Sequence, residues 1–396
     1  MTIALAVLAA AAFVYVTAEI LPIGALPAIA ADLRVNTALV AGLLAGYALV
    51  AALATVPLVR WTASWPRRRA LLFALVVLTV SQVISALAPS FAVLAAGRVL
   101  SASTHGLMWS VIAPIGARLV PPTHAARATT AIYVGSALAL LVGSPLTAVL
   151  SGFWGWRAAV GVLAAAAAAL TLAARILLPP MDIPAVEPIA DDAGARESSR
   201  RRGHADAGLL GMCGLTFIGV TGHFVSYSFL AVVITKIGGF GTLTLGGLLA
   251  GYGCAGLVAM AVLAGPGDRR PQATVAGCLA GLTTVFVVLA VVSGRGPASA
   301  AGFAIGVAGI LAWGATAAAV PPLLQAAAMR RAPQDPDWAS GLYVTAFQVG
   351  IASGASLGGV LYGHFGVPVM LATSAVLIAV VLVAVGLRPE LFATVK

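Results

Sequence analysis

Charge is what this chain has least of: 9% of its 396 residues are charged while 61% are hydrophobic, and its mean hydropathy is +1.05. That balance excludes a soluble domain of this length. Cysteine is also scarce. Cys213, Cys254 and Cys278 fall inside apolar runs at spacings that fit neither a metal site nor a disulfide framework, so they read as small buried side chains. The sequence lacks a phosphate-binding Gly-Lys loop, a nucleophile–base constellation, and any polar stretch long enough for a nucleotide-hydrolysing domain. It is therefore expected not to be an enzyme and to use no cofactor or metal.

What is there instead is a series of apolar runs of about 20 residues, the length that crosses a roughly 30 Å hydrocarbon core as a helix. Twelve are read, at 3–29, 38–59, 70–88, 91–117, 128–150, 157–178, 208–235, 243–264, 272–292, 299–325, 338–361 and 366–387. They are continuously apolar, whereas membrane strands alternate in polarity over about ten residues, so an all-α polytopic membrane protein is expected. The first run has no basic residue before Arg34 and is too long for a signal peptide, so it reads as transmembrane.

Basic residues divide unevenly between the two sets of connecting loops. One set and the C-terminal tail carry Arg60, Arg67, Arg68, Arg69, Arg118, Arg127, Arg196, Arg200, Arg201, Arg202, Arg269, Arg270, Arg330, Arg331, Arg388 and Lys396; the other has Arg34, Arg157, Lys236 and Arg295. The excess marks the cytoplasmic side, which places both termini inside a multi-pass protein of the plasma (inner) membrane. The net charge of +10 is mostly this topological signal, scattered over short loops, so no nucleic-acid partner is expected. The polar segment 179–206, rich in Pro, Asp, Ser and Arg, reads as a flexible linker. It separates a six-span bundle at 1–178 from another at 207–396, which implies duplication. The loop "SWPRRRALL" after span two is echoed by "GDRRPQATV" after span eight.

Twelve spans as six plus six, with Arg-rich turns after spans two and eight, resemble the major facilitator superfamily. The stretch "ASWPRRR", ending in Arg67, Arg68 and Arg69, resembles its loop motif, although Ala63 and Ser64 stand where Asp and Arg are usual; the second copy, Asp268-Arg269-Arg270, keeps the acid. In that family the acid and bases latch helices together, so the resemblance implies a weakened first latch and a stronger second one. "VGSPLTAVLSG", containing Gly143 and Pro145, resembles the fifth-helix motif of proton-driven exporters, with Thr147 where Gly is usual. The phrases "TAEILPIGALP", "HGLMW", "GHFVSYSFLAV", "WGATAAAVPPLLQ" and "LYVTAFQVGIASG" resemble the branch of twelve-helix drug:proton antiporters that exports sugars and purine nucleosides, with Gln348 where that branch has Asn. The resemblance implies two pseudo-symmetric six-helix bundles and proton-coupled efflux of sugars, nucleosides or drugs. An uptake symporter of the same fold and a non-transporting sensor are the alternatives.

Away from the span ends, four ionisable residues lie inside the spans: Glu19, Arg98, His105 and His223. Each is costly in hydrocarbon, by at least about 2.5–3.5 kcal/mol for an unpaired charge, and should face a wet cavity or a partner. Arg98 and His105 are two helical turns apart and share a face. Glu19 and Arg98 both fall in the outer half of the membrane, close enough in depth to pair. Arg98 matches the fourth-helix arginine that the family uses in proton coupling, so Glu19 is the expected proton carrier and Arg98 its partner. His105 and His223 read equally as substrate contacts, proton relays or structural histidines. Trp109, Tyr227, Trp313, Tyr343 and Gln348 could supply flat faces and hydrogen bonds to a small-molecule substrate, or simply pack. The partners expected are that substrate, protons and the lipid bilayer, with the protein a monomer.

Overall fold

The computed structural model describes residues 2–180, 207–238, 242–294 and 300–392, and every regular element among them is helical. Lipid offers no hydrogen bonds to the backbone, so a spanning segment must satisfy its own N–H and C=O groups, as a helix does. The helices are α1 (Thr2–Gly24), α2 (Leu26–Asp32), α3 (Thr37–Trp61), α4 (Arg67–Ala86), α5 (Phe91–Arg118), α6 (Ala125–Leu138), α7 (Ser144–Trp154) and α8 (Trp156–Leu177). They continue with α9 (Ala207–Tyr227), α10 (Leu230–Gly238), α11 (Thr242–Arg269), α12 (Pro271–Gly294), α13 (Ala300–Ala318), α14 (Val320–Arg331) and α15 (Pro336–Leu387). Of the expected linker, residues 181–206 lie outside the described residues, as does Arg295.

All twelve expected spans have helical counterparts. Several are broken where the local chemistry demands it. The first is α1 and α2, parted at Ala25 with Pro27 in the first turn of α2. The fifth is α6 and α7, joined by a π-helical turn at Ala139–Gly143. Gly155, at φ 81°, separates α7 from α8, and Gly366, at φ 77°, divides α15 into the last two spans. Both angles lie in the left-handed region that glycine enters without a steric penalty.

Among the described residues two compact units emerge from the contacts: residues 2–180 and 207–212 with Gln325–Thr345 in the first, and those of Cys213–Leu324 with Ala346–Phe392 in the second. In the first, α5 packs on α3 and α4, while α1 lies against α6 and α8. Gly135 lets α6 approach α1, since a Cβ there would sit 1.9 Å from the Ala9 carbonyl oxygen. At one end of this unit Asp32 accepts hydrogen bonds from Arg157 and, at 3.2 Å, from Trp156 Nε1, and Arg157 also donates to the Ala88 carbonyl at 2.7 Å. The Arg157 bond, followed by that of Trp156, holds the Asp32 carboxyl below the usual carboxylate range. In the second unit α11 and α12 both pack on α13, and Gly314 meets α11 so closely that a Cβ would lie 2.1 Å from the Tyr252 carbonyl oxygen.

Candidate functional site

In the first unit, α1, α3 and α5 bring Tyr15, Glu19, Tyr47, Arg98 and His105 together. The arrangement begins with a missing hydrogen bond. Pro22 has no N–H, so the Ala18 carbonyl, four residues earlier on α1, has no helical donor. Arg98 fills that vacancy: its Nη1 donates to the Ala18 carbonyl at 2.5 Å and its Nη2 to the Glu19 carbonyl at 2.6 Å. Its guanidinium also lies over the Tyr47 ring, 4.7 Å from the centroid. A residue that is 4% exposed in a membrane helix thus spreads its charge over two main-chain dipoles and an aromatic face.

Arg98 therefore meets Glu19 through the main chain. The Glu19 carboxylate turns instead toward His105, with Oε2 3.9 Å from Nε2, and its side chain is 18% exposed against 4% for the imidazole. The other imidazole nitrogen, Nδ1, is 3.1 Å from the Tyr47 hydroxyl, which lies 3.4 Å from Ser101 Oγ. Tyr15 supports the same face. Its hydroxyl donates to the Ala74 carbonyl and lies 2.9 Å from Thr104 Oγ1, and its ring meets His105 edge-on at 5.9 Å. A partly exposed carboxylate, a cation on its own main chain and a polar chain behind it concentrate ionisable and hydroxylic groups in one place inside the helices.

One turn further along α5, Trp109 is buried against Tyr133 at 4.9 Å, and Tyr133 hydrogen-bonds Tyr343. The Trp109 carbonyl accepts from Gln325 Nε2 at 3.2 Å and from Ser340 Oγ at 3.4 Å. Trp109 and Tyr343 thus belong to the first unit; Tyr227 and Trp313 share their expected role. Those lie in the second unit. His223 stacks on Tyr227 at 5.0 Å and meets Trp313 edge-on at 6.1 Å, with Tyr252 and Phe286 completing the ring cluster at 6.0 and 4.9 Å from Trp313. His223 Nε2, Trp313 Nε1 and Gln348 Nε2 are buried and have no hydrogen-bond partner among the described residues. Buried donors of this kind are costly unless something else supplies the acceptor.

The motif residues divide similarly. Arg67 Nε pairs with Asp337 Oδ2 at 2.5 Å and its Nη1 donates to the Thr62 carbonyl at 3.3 Å, while Arg118 Nη2 reaches the same carboxylate at 3.4 Å. The acid that the first turn lacks is supplied by Asp337, at the start of α15. Arg68 donates to the Arg175 carbonyl, and Arg69 covers the Trp65 ring at 4.8 Å. Gly143 faces Thr17 of α1, whose Oγ1 a Cβ would meet at 2.3 Å, and Pro145 stands in the first turn of α7 directly after the π-helical turn. Asp268, Arg269 and Arg270 close α11 and lead into α12, the Arg270 N–H donating to the Pro266 carbonyl at 2.8 Å. Among the described residues no group of three or more His, Cys, Asp or Glu side chains is placed to hold a metal.

The sequence reading missed Tyr15, Tyr47, Tyr133, Tyr252 and Asp337. Tyr15 was findable, since it lies four residues before Glu19 and so on the same face of α1. Asp337 was not, because its partners are remote in sequence.

The Major Facilitator Superfamily profile matches residues 8–337. Chloramphenicol efflux pumps from two strains of Mycobacterium tuberculosis, H37Rv and CDC 1551, are each 55% identical to this chain over 388 residues, covering 98% of it and 92% of their own length. Among solved structures, the human organic anion transporter MFSD10 superposes with a TM-score of 0.77 at 17% identity, over 97% of this chain and 99% of its own. The Escherichia coli fucose:proton symporter FucP does so with a TM-score of 0.73 at 14% identity, over 97% and 98%. At such identities these two structures speak for the fold alone.

Proposed function

The chain belongs to the major facilitator superfamily, and from that premise we propose that it exports a small amphiphilic drug such as chloramphenicol in exchange for protons. That it is a multi-pass membrane transporter follows from membership; cargo, direction and coupling are the proposal. The observation that supports coupling is the partly exposed Glu19 carboxylate facing His105, with Arg98 bonded to the main-chain carbonyl of the same residue. The cargo is suggested by the 55% identical efflux pumps rather than by sugar or nucleoside chemistry.

In this scheme the protein is a monomer with both termini cytoplasmic, and two six-helix halves, 1–178 and 207–396, alternate in access. Glu19 releases its proton on the cytoplasmic side as substrate binds, and takes one up on the outer side as substrate leaves. Arg98, anchored on the Ala18 and Glu19 carbonyls, couples the carboxylate to the position of α1, because any shift of α1 that breaks those bonds also moves the cation relative to the carboxylate. The ring cluster about His223, Tyr227 and Trp313 offers a flat face and unfilled donors to an aryl group bearing an acceptor.

The test is chloramphenicol uptake into inverted membrane vesicles energised by an imposed proton gradient. Wild-type vesicles should accumulate the drug until a protonophore is added, and Glu19→Gln vesicles should match empty ones. Undiminished gradient-driven uptake by Glu19→Gln would remove Glu19 from the scheme. Proton-driven drug movement in the opposite direction would make the protein a symporter, and movement of neither drug nor protons would leave the sensor reading.

A further inference from the structure

The two Arg-rich turns differ in what their arginines do. In the first, Arg67, Arg68 and Arg69 each have a protein partner: a carboxylate, a carbonyl and an indole ring. In the second, Arg269 and Arg270 are exposed, and neither guanidinium has an acceptor among the described residues. Together with Leu263, Pro266, Ala273, Thr274, Gly277 and Thr316 they line an open groove of about 610 Å³.

The packing explains the groove. Helices α11 and α12 both lie on α13 and touch each other much less, so a trough runs between them, with Thr316 of α13 among its lining residues. Gly277 leaves it open, for a Cβ there would meet nothing within 4 Å. The flanks are greasy. Val262 on α11 is 65% exposed and Val287 on α12 is 49% exposed, which suits hydrocarbon and not water. An apolar trough ending in two unpartnered cations at the arginine-rich end of the helices has the two-part chemistry of a phospholipid, acyl chain below and phosphate above.

We propose that the trough between α11 and α12 is a binding site for one anionic phospholipid of the cytoplasmic leaflet, its phosphate held by Arg269 and Arg270 and an acyl chain lying along Leu263, Pro266, Ala273 and Gly277. A free phosphate would use only the arginines and leave the trough empty, so the apolar lining selects the lipid. Such a lipid would wedge between α11 and α12 where they pack least on each other, which makes the second half of the chain sensitive to the charge of the membrane around it.

The test uses full-length protein in detergent micelles, with titrated phosphatidylglycerol, phosphatidylcholine or inorganic phosphate, read by native mass spectrometry and by thermal melting. Phosphatidylglycerol should bind in preference to phosphatidylcholine and raise Tm. Arg269→Gln/Arg270→Gln should cut that preference by about thirtyfold, each arginine near an anionic headgroup contributing on the order of a 5-fold factor. Gly277→Leu adds an apolar side chain to the trough from a Cβ that meets nothing within 4 Å, keeps both charges, and should weaken retention of both lipids. Equal binding of the two lipids, an unchanged preference in the double variant, undiminished retention in Gly277→Leu, or a matching Tm rise with inorganic phosphate would each overturn the proposal.

Discussion

Helices α1 and α9 hold equivalent places in the two halves implied by the sequence, and Glu19 lies about as far into one as His223 does into the other, yet their surroundings are built from different chemistry. Around Glu19 the partners are ionic and hydroxylic: a guanidinium, an imidazole and two tyrosine hydroxyls. Around His223 they are rings, with Tyr227 stacked on the imidazole and Trp313 at its edge. The same scaffold position thus carries an ionisable carboxylate in one unit and a cluster of aromatic rings in the other. On the proposed function a proton needs one carboxylate with a route to water and an aromatic cargo needs area, so the two tasks would fall to different units.

The sharpest way to break this comparison is to disable each side alone. Glu19→Gln should abolish proton-driven transport while leaving drug binding, measured by calorimetry on purified protein, near wild type. Trp313→Phe keeps a buried ring but removes the Nε1 donor that lacks a partner among the described residues. If that donor bonds the cargo, its loss should weaken binding by about three- to tenfold with coupling intact, and no protein hydrogen bond is lost. Trp313→Phe with unchanged affinity would make the ring cluster packing and nothing more.

A second contrast concerns the Arg-rich turns, where Asp337 satisfies the first. Its side chain is 3% exposed and bears two arginines, so Asp337→Ala should leave the nearly buried Arg67 and the partly exposed Arg118 without that counter-charge. Breaking such a pair costs about 3–5 kcal/mol when fully buried, and Arg67 is nearly so at 11%. A loss of about 3 kcal/mol would lower Tm by several degrees in detergent. Asp268→Ala, in the turn where the sequence alone sets the stronger latch, should cost less. The opposite order would restore the latch to the second turn.

Helix number and the costly intramembrane residues were legible because hydrocarbon enforces both: apolar runs of the required length are visible, and Glu19, Arg98, His105 and His223 stand out within them. The partnerships were less so. Motifs record side chains, and Arg98 binds main-chain oxygens, although Pro22 four residues after Ala18 announced one of them. The first turn looked deficient because its acid comes from far away, with Arg118 and Asp337 separated by 219 residues. Trp109 and Tyr343 were grouped with Tyr227 and Trp313 by residue type, a property that says nothing about which compact unit each joins.

The claim that Arg98 serves α1 through Pro22 can be measured as a coupling. Arg98→Ala leaves the Ala18 carbonyl unpaired, whereas Pro22→Ala returns an N–H to it, so the two changes should compensate in part. In a double-mutant cycle of thermal stabilities, Arg98→Ala should be milder by about 1 kcal/mol in the Pro22→Ala background, the net worth of one hydrogen bond. Additivity within about 0.5 kcal/mol would mean that Arg98 acts on Glu19 independently of the proline.

The smallest effect belongs to the far end of the first unit, where Asp32 is exposed and screened. Hydrogen bonds from Arg157 and Trp156 lower its folded-state pKa, so the stability it contributes is present above the unfolded aspartate value of about 3.9 and is lost as pH falls through the lower folded value. Wild-type Tm should therefore decline slightly more than that of Asp32→Asn below about pH 4, the asparagine variant having nothing to titrate there. Because the group is solvent-exposed, 0.15 M salt should shrink the difference further. An equal acid decline in Asp32→Asn and wild type would show that this turn is held by packing of Trp156 alone, and would remove the ionic character assigned to that end of the unit.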